Sequence, residues 1–186
     1  MSDEIIAMML SLVGMVLTMI SFQAEKKLWY VILQSTGSTF YLVSYIFSGG
    51  GIAIYLNIIF LIRNFISLPL DKASVKARRW ACGIICAACA MVYILFISLT
   101  PLETSEKIWS ITPVIGAFFG AFATLSKDMM RLRLLKYGDS LGWISYNTYI
   151  GIGALGGIIG EIFNITSTTI AILRFRKKKE VESDGK

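Results

Sequence analysis

The sequence contains no histidine, and this absence narrows the chemistry open to the chain. Ser–His and Cys–His catalytic pairs are excluded, and the commonest metal and haem ligand is missing. Cysteine is scarce as well. Cys82, Cys86 and Cys89 share one helical face of an apolar stretch, where small packing residues are a better interpretation than a redox or metal pair. The sequence therefore predicts no enzyme activity, no cofactor and no metal site.

Charged residues are also few: they make up 16% of the 186 residues, while 55% are hydrophobic and the mean hydropathy is +0.68. A soluble domain has more charge, about 25%. The amino-terminal "MSDE" lacks the positive region of a signal peptide, so the first apolar stretch is expected to remain as a helix. Seven stretches are long enough to cross about 30 Å of hydrocarbon as helices: 5–22, 28–47, 52–69, 80–99, 108–125, 131–151 and 152–173. The sixth of them, 131–151, is the weakest prediction.

The basic residues are unevenly distributed over the predicted connections. Sixteen of the 18 Lys and Arg follow the first, third, fifth and last helices, which places them on one side, and the other side has only Lys107. The positive-inside rule then puts the amino terminus outside and the carboxyl terminus inside. This bias accounts for the net charge of +6 without a nucleic-acid partner. The expected partner is the lipid bilayer, and homo-oligomer formation is left open.

Two parts of the chain resemble each other at a shift of 102 residues. The shift aligns Gly14 with Gly116, Gln34 with Lys136, Ser38 with Ser140, Tyr41 with Trp143, Tyr45 with Asn147 and Gly49 with Gly151, and a shift of 104 aligns Asn57 with Glu161. Each part holds three predicted helices, and one helix between them gives both the same orientation. The sequence thus predicts an all-α polytopic protein with two parallel three-helix repeats in a 3+1+3 plan. Its parts are a first repeat (1–70), a cytoplasmic loop with linker helix (71–107), a second repeat (108–174) and a basic cytoplasmic tail (175–186).

Two charged residues stand near the middle of predicted helices, Glu161 in the seventh and Arg63 in the third. A charge at the bilayer centre costs at least about 2.5 kcal/mol, so such residues are functional hypotheses by default. Three roles stay open for Glu161: binding a solute, carrying a proton, or pairing with Arg63 in a structural role.

The second and sixth helices carry polar residues that predict a water-accessible vestibule. They are Gln34, Ser35, Thr36, Ser38 and Thr39 on one helix, and Lys136, Asp139 and Ser140 on the other. The alternative is that the hydroxyls bond only to backbone carbonyls. The segment "YGDS" around Asp139 is the one hint of an intramembrane enzyme, and it is interpreted as the N-cap of a helix.

Several segments resemble a known family. "PVIGAFFGAFATLSKDMMRLRLL", "GWISYNTYIGIGALGGIIGEIFN" and "LIRNFISL" resemble the YgjV family of bacterial inner-membrane proteins. The 3+1+3 plan and "LTMISFQAEKK" resemble more distantly the SWEET, SemiSWEET and PQ-loop transporters and the PnuC type, although "FQ" lacks the proline of a PQ motif. The resemblance implies a SWEET-like fold in the bacterial inner membrane and alternating-access transport of a small polar solute. It implies no sugar specificity.

The resemblance also implies a solute site shared by both repeats. The third-helix asparagine of the transporters corresponds to Asn57, with Glu161 at the same place in the second repeat, and the pocket aromatic corresponds to Tyr41 or Trp143. The other expected members are Asn147 and Asn164 as lining residues and Arg63 as the counter-charge. The alternative function is a membrane scaffold or subunit that transports nothing and whose polar groups lock the helices together.

Overall fold

The computed structural model describes residues 3–48, 50–150 and 155–184, and all regular structure in these ranges is helical. The eight helices are α1 (Asp3–Ser21), α2 (Lys27–Ser48), α3 (Ile52–Leu70), α4 (Val75–Leu99), α5 (Thr104–Trp109), α6 (Thr112–Thr124), α7 (Met129–Ile150) and α8 (Leu155–Asp184). Gly49 and Gly151, which the 102-residue shift aligns, lie outside the described residues.

The predicted helix 108–125 is interrupted near its start. Helix α5 begins at Thr104, where the backbone N–H of Glu103 donates to the carboxylate of Glu106 at 3.1 Å. Helix α6 follows, with Pro113 in its first turn. Backbone N–H groups in the first turn make no helical hydrogen bond, so proline, which lacks this group, is tolerated there. Together the two helices form one unit of 21 residues, which is long enough to cross a membrane.

Four helical units in the described ranges are both long and apolar enough to span a bilayer: 52–70, 75–99, 104–124 and 157–176. Ile5–Ser21 is apolar but shorter. Helices α2 and α7 have 22 residues each but are too polar to qualify on composition alone. The number of helices therefore agrees with the multi-pass expectation, while the complete seven-span topology stays a prediction.

Six of the helices follow one another around a ring. Helix α1 packs on α2, α2 on α3, α3 on α6, α6 on α7, α7 on α8, and α8 on α1. Helix α4 lies outside the ring against α3 and α6, with only 17% of its span buried within the protein. This arrangement places the polar helices α2 and α7 between two neighbours each, so their polar faces can point into the ring.

Glycines lie at two close helix crossings, α1 with α2 and α6 with α7. A Cβ atom on Gly14 of α1 would lie 2.9 Å from the carbonyl oxygen of Gly37 on α2. A Cβ atom on Gly116 of α6 would lie 2.8 Å from the carbonyl oxygen of Asp139 on α7, and one on Gly142 would lie 2.6 Å from the carbonyl oxygen of Thr112. Only glycine allows backbones to approach this closely, as in other membrane helix pairs.

The connections that sequence analysis assigned to one side of the membrane meet at one end of the bundle. The Lys27 ammonium contacts the Asp71 carboxylate at 2.5 Å and the carbonyl oxygen of Ser126 at 3.1 Å, which joins the α1–α2, α3–α4 and α6–α7 connections. The other end contains the bond from the Tyr149 hydroxyl to Ser105 at 3.0 Å. These contacts bring three of the basic connections together, while the membrane topology and the side that each end faces stay predictions.

Two further expectations concern α8 and α4. The basic tail, expected to begin at 175, continues α8 as a helix to Asp184. On α4, Cys82 and Cys89 are buried, Cys86 is half-buried, and all three are free thiols that pack in the apolar cluster with α3 and α6.

Candidate functional site

A polar cavity of about 50 Å³ lies inside the ring of helices. At roughly 10–15 Å³ for each water by the same measure, it has room for about four waters. The lining combines amides, hydroxyls, charges and aromatic rings from α1, α2, α3, α7 and α8: Thr18, Gln34, Ser38, Tyr41, Tyr45, Asn57, Phe60, Lys136, Asp139, Trp143, Asn147, Gly157, Glu161 and Asn164. All six solute-binding residues expected from the sequence are among them, and Arg63 is not.

Helices α2 and α7 form two walls of the cavity because their lining residues recur every three or four positions. On α2 these are Gln34, Ser38, Tyr41 and Tyr45. On α7 they are Lys136, Asp139, Trp143 and Asn147. Residues at this spacing share one helical face. The low apolarity of both helices is thus explained by faces that point toward the cavity.

The carboxylate of Glu161 has neutral hydrogen-bonding neighbours and also interacts electrostatically with the Lys136 ammonium, which lines the same cavity. The Asn164 amide donates to Glu161 Oε2 at 3.4 Å, and the Asn164 carbonyl accepts from the Thr18 hydroxyl at 3.3 Å. The Ser140 hydroxyl also faces this carboxylate. In the described part of the chain no ion pair joins Glu161 to a Lys or Arg.

The second carboxylate of the cavity is paired. Asp139 Oδ2 accepts from the ammonium of Lys136 one turn earlier on α7, and the side chain of Asp139 is 2% exposed. Its other oxygen, Oδ1, has no hydrogen-bond partner. Asp139 lies in the middle of α7, so the N-cap interpretation is wrong: the helix begins ten residues earlier, at Met129.

Arg63 is buried beside this pair and not beside Glu161. A Cβ atom on Gly120 would lie 2.6 Å from Arg63 Nη1 and 2.9 Å from Asp139 Oδ2, so the glycine leaves room for the two charges to face each other. Arg63 Nη2 donates to Asn64 at 3.3 Å, and the guanidinium lies 4.4 Å from the centre of the Phe60 ring. The expected pair between Arg63 and Glu161 is therefore not formed, because Arg63 points toward α6 and α7.

Aromatic rings from three helices meet in the lining. Trp143 stacks on Tyr45 with ring centres 6.3 Å apart and meets Phe60 edge-on at 5.9 Å.

Asn57 donates to the carbonyl of Ala53 on its own helix at 2.9 Å, so its side-chain oxygen is not used by that bond. Asn147 is 2% exposed and packs against Gly157.

Toward the end of the bundle that holds Lys27, a buried, mostly apolar cluster lies next to the cavity lining, and we call it the plug. The plug consists of Phe22, Tyr30, Val31, Ala123 and Leu132, each at most 2% exposed. Three of its members lie one helical turn beyond a lining residue: Phe22 beyond Thr18, Tyr30 beyond Gln34, and Leu132 beyond Lys136. Arg133 fixes the plug from outside by donating to the carbonyls of Phe22 at 3.3 Å and Ala24 at 3.0 Å.

A comparison with protein families decides the affiliation of the chain. The profile of the bacterial inner membrane protein family Imp-YgjV matches residues 5–179. The chain belongs to this family. No curated protein and no solved structure matches it, so the resemblance to SWEET and PQ-loop transporters stays a prediction.

Sequence reasoning on this Imp-YgjV chain missed four lining residues, Thr18, Tyr45, Phe60 and Gly157. Tyr45 follows Tyr41 by one turn, and this spacing could have indicated it. Some residues of the expected vestibule do not line the cavity. Thr36 and Thr39 donate to carbonyls of their own helix, and Ser35 is buried outside the lining.

Proposed function

We propose that the chain is a membrane transporter or facilitator that moves a small polar solute by alternating access between two three-helix repeats. The observation that carries this proposal is the polar cavity, because polar side chains from both repeats converge on it within an apolar bundle. Polar groups buried in hydrocarbon are costly when they have no partners. A cavity that holds water and admits a solute gives them partners.

The repeat is supported by contacts that recur at the same shift. Gly14 meets Gly37, and Gly116 meets Asp139, 102 residues later in each case. Contacts between repeats follow the same rule, since the first helix of each repeat packs on the third helix of the other: α1 on α8, and α6 on α3. Two similar halves around a central site are the usual architecture of secondary transporters. Helix α4, outside the ring, then serves as the linker of a parallel 3+1+3 plan.

The size of the cavity suits a small solute, and the plug suits a state that is closed toward one end of the bundle. Room for about four waters corresponds to about 120 Å³ of liquid volume, which suits a solute of a few non-hydrogen atoms. The apolar plug separates this space from the end that holds Lys27. Moving one repeat against the other would part the plug and open the cavity to the cytoplasm, with the amino terminus outside and the carboxyl terminus inside.

The scaffold remains the second candidate, and specific hydrogen bonds favour it. The Ser44 hydroxyl donates to the carbonyl of Ala7 at 2.8 Å, and the Ser167 hydroxyl donates to the carbonyl of Met19 at 2.8 Å. These bonds join neighbouring helices and need no solute.

Two serines on α2 offer a matched test that does not require the solute to be known. Ser38 lines the cavity and Ser35 does not, yet both are buried to a similar degree, with 8% and 7% exposure. Each is replaced by cysteine in a chain whose three native cysteines are alanine, and membrane vesicles of both orientations are treated with an impermeant thiol reagent. Alternating access predicts that Ser38→Cys reacts from both sides while Ser35→Cys does not. A chain in which neither position reacts is a scaffold.

A further inference from the structure

The charges that face the cavity are unbalanced. Its lining holds two carboxylates, Asp139 and Glu161, and one cation, Lys136. Lys136 forms its ion pair with Asp139. The lining therefore retains one carboxylate that no described Lys or Arg pairs with directly.

The other buried cation nearby does not correct this imbalance. Arg63 lies outside the lining, faces Asp139 across Gly120, and packs on the Phe60 ring. Its Nε and Nη1 groups have no hydrogen-bond partner. Arg63 therefore adds positive charge beside Asp139, behind the cavity wall, and leaves Glu161 facing the cavity.

Aromatic rings share the cavity lining with this carboxylate. Tyr41 lies beside it, because a Cβ atom on the adjacent Gly160 would be 3.0 Å from the Tyr41 hydroxyl oxygen. Tyr45 and Trp143 stack on each other in the same lining. A carboxylate combined with aromatic rings is the chemistry that recognises organic cations, since ring faces attract positive charge.

We infer that the solute is a small organic cation, an amine or quaternary ammonium compound whose charge lies against Glu161. This inference rests on the proposed transport function. The amides of Asn57, Asn147 and Asn164 then bind hydroxyl or carbonyl groups of the same molecule. An anion is disfavoured, because it would meet Glu161, and Lys136, the cation among the described lining residues, is already paired with Asp139.

The test uses three methanethiosulfonate reagents on the Ser38→Cys chain without native cysteines. One carries a trimethylammonium group, one a sulfonate group of similar size, and one a neutral methyl group. The reaction rate of each reagent with the protein is divided by the rate of the same reagent with a free thiol in solution. We expect the cationic reagent to react at least about tenfold faster than the anionic one, because a charged, water-poor cleft concentrates ions of opposite sign.

Two variants assign this preference to one carboxylate. Glu161→Gln should reduce the ratio of the cationic to the anionic rate severalfold, while Glu180→Gln, in the basic tail, should leave it unchanged. Two results overturn the cation inference but not the transport function: equal relative rates for all three reagents, or a cation-to-anion ratio that Glu161→Gln does not change. Failure of even the neutral reagent overturns the transport function itself.

Discussion

The two helix triplets, α1–α3 and α6–α8, share their packing but differ in their chemistry. In the first triplet the cavity wall is neutral, with Gln34 on α2 and Asn57 on α3. The positions 102 and 104 residues later hold charges, Lys136 and Glu161. Backbone geometry and charge placement are thus separate properties of this fold. Glycine crossings determine how each triplet packs, and a few side chains determine what each triplet can bind.

This division of chemistry has an energetic consequence. Burying a neutral amide of the first triplet costs less than burying a charge, which needs a partner of opposite sign or a solvated cavity. The second triplet should therefore be more sensitive to substitution than the first. It should also supply the electrostatic part of solute binding, while the first supplies hydrogen bonds.

The largest expected effect tests whether the two triplets are parallel. It is an all-or-none difference in thiol labelling between two positions. Thr104 precedes the second triplet and Ser74 follows the first, so parallel triplets place them on opposite sides of the membrane. A cysteine at Thr104 in the chain without native cysteines should react with an impermeant thiol reagent on spheroplasts, and one at Ser74 should not. Reaction at Ser74 alone would invert the topology, and reaction at both would exclude parallel triplets.

The next largest effect should come from the charged pair of the second triplet. Asp139→Asn leaves Lys136 and Arg63 buried without their carboxylate, which should lower the free energy of unfolding by about 3–5 kcal/mol. Adding Lys136→Gln should restore part of that loss. Gln34→Ala, at the neutral position of the first triplet, should cost only about 1 kcal/mol, as for one hydrogen bond.

Denaturant titration of the purified protein in detergent measures all three variants. Equal losses for Asp139→Asn and Gln34→Ala would show that the two triplets do not differ in sensitivity. Glu180→Gln provides the control for removing a carboxylate outside the membrane helices.

A smaller effect should appear at the glycine crossings, where the triplets should behave alike. Gly142→Ala and Gly37→Ala each place a methyl group under 3 Å from backbone atoms, so each should destabilise by about 1–3 kcal/mol. Gly83→Ala on α4 is the matched control, because nothing lies within 4 Å of its Cβ position. Melting temperatures in one detergent compare the three. A fall confined to one triplet would mean that the crossings are not equivalent.

The sequence predicts the helices well because spanning length constrains them. Apolar runs of about 20 residues are recognisable without any partner, and α3 ends within one residue of its expected boundary. The residues of the cavity could also be named, because Asn57 and Glu161 stand out within apolar runs. Such contrast is missing in α7, whose residues are mixed along its length. The polar residues of that helix therefore allow more than one interpretation, and the N-cap interpretation of Asp139 is wrong.

The partner of Arg63 could not be predicted from the sequence. Counting along a helix gives depth in the membrane, and Arg63 and Glu161 lie at similar depths in this count. The direction in which a side chain points depends on which helices surround it. Gly120 on α6 opens the space that lets Arg63 face Asp139, and this requires the packing of α3 on α6.

The smallest expected effect tests this rearranged pairing. Glu161 forms no ion pair in the described part of the chain, and its bond from Asn164 is long, at 3.4 Å. Glu161→Gln should therefore change the free energy of unfolding by less than about 1 kcal/mol. Combined with Arg63→Gln, the two changes should add with a coupling energy below about 0.5 kcal/mol, as for independent sites. The cycle of Asp139→Asn with Arg63→Gln should instead show a coupling well above that limit, because their charges face each other across Gly120. A coupling of several kcal/mol in the Glu161 cycle would return Arg63 to its expected role as counter-charge of Glu161.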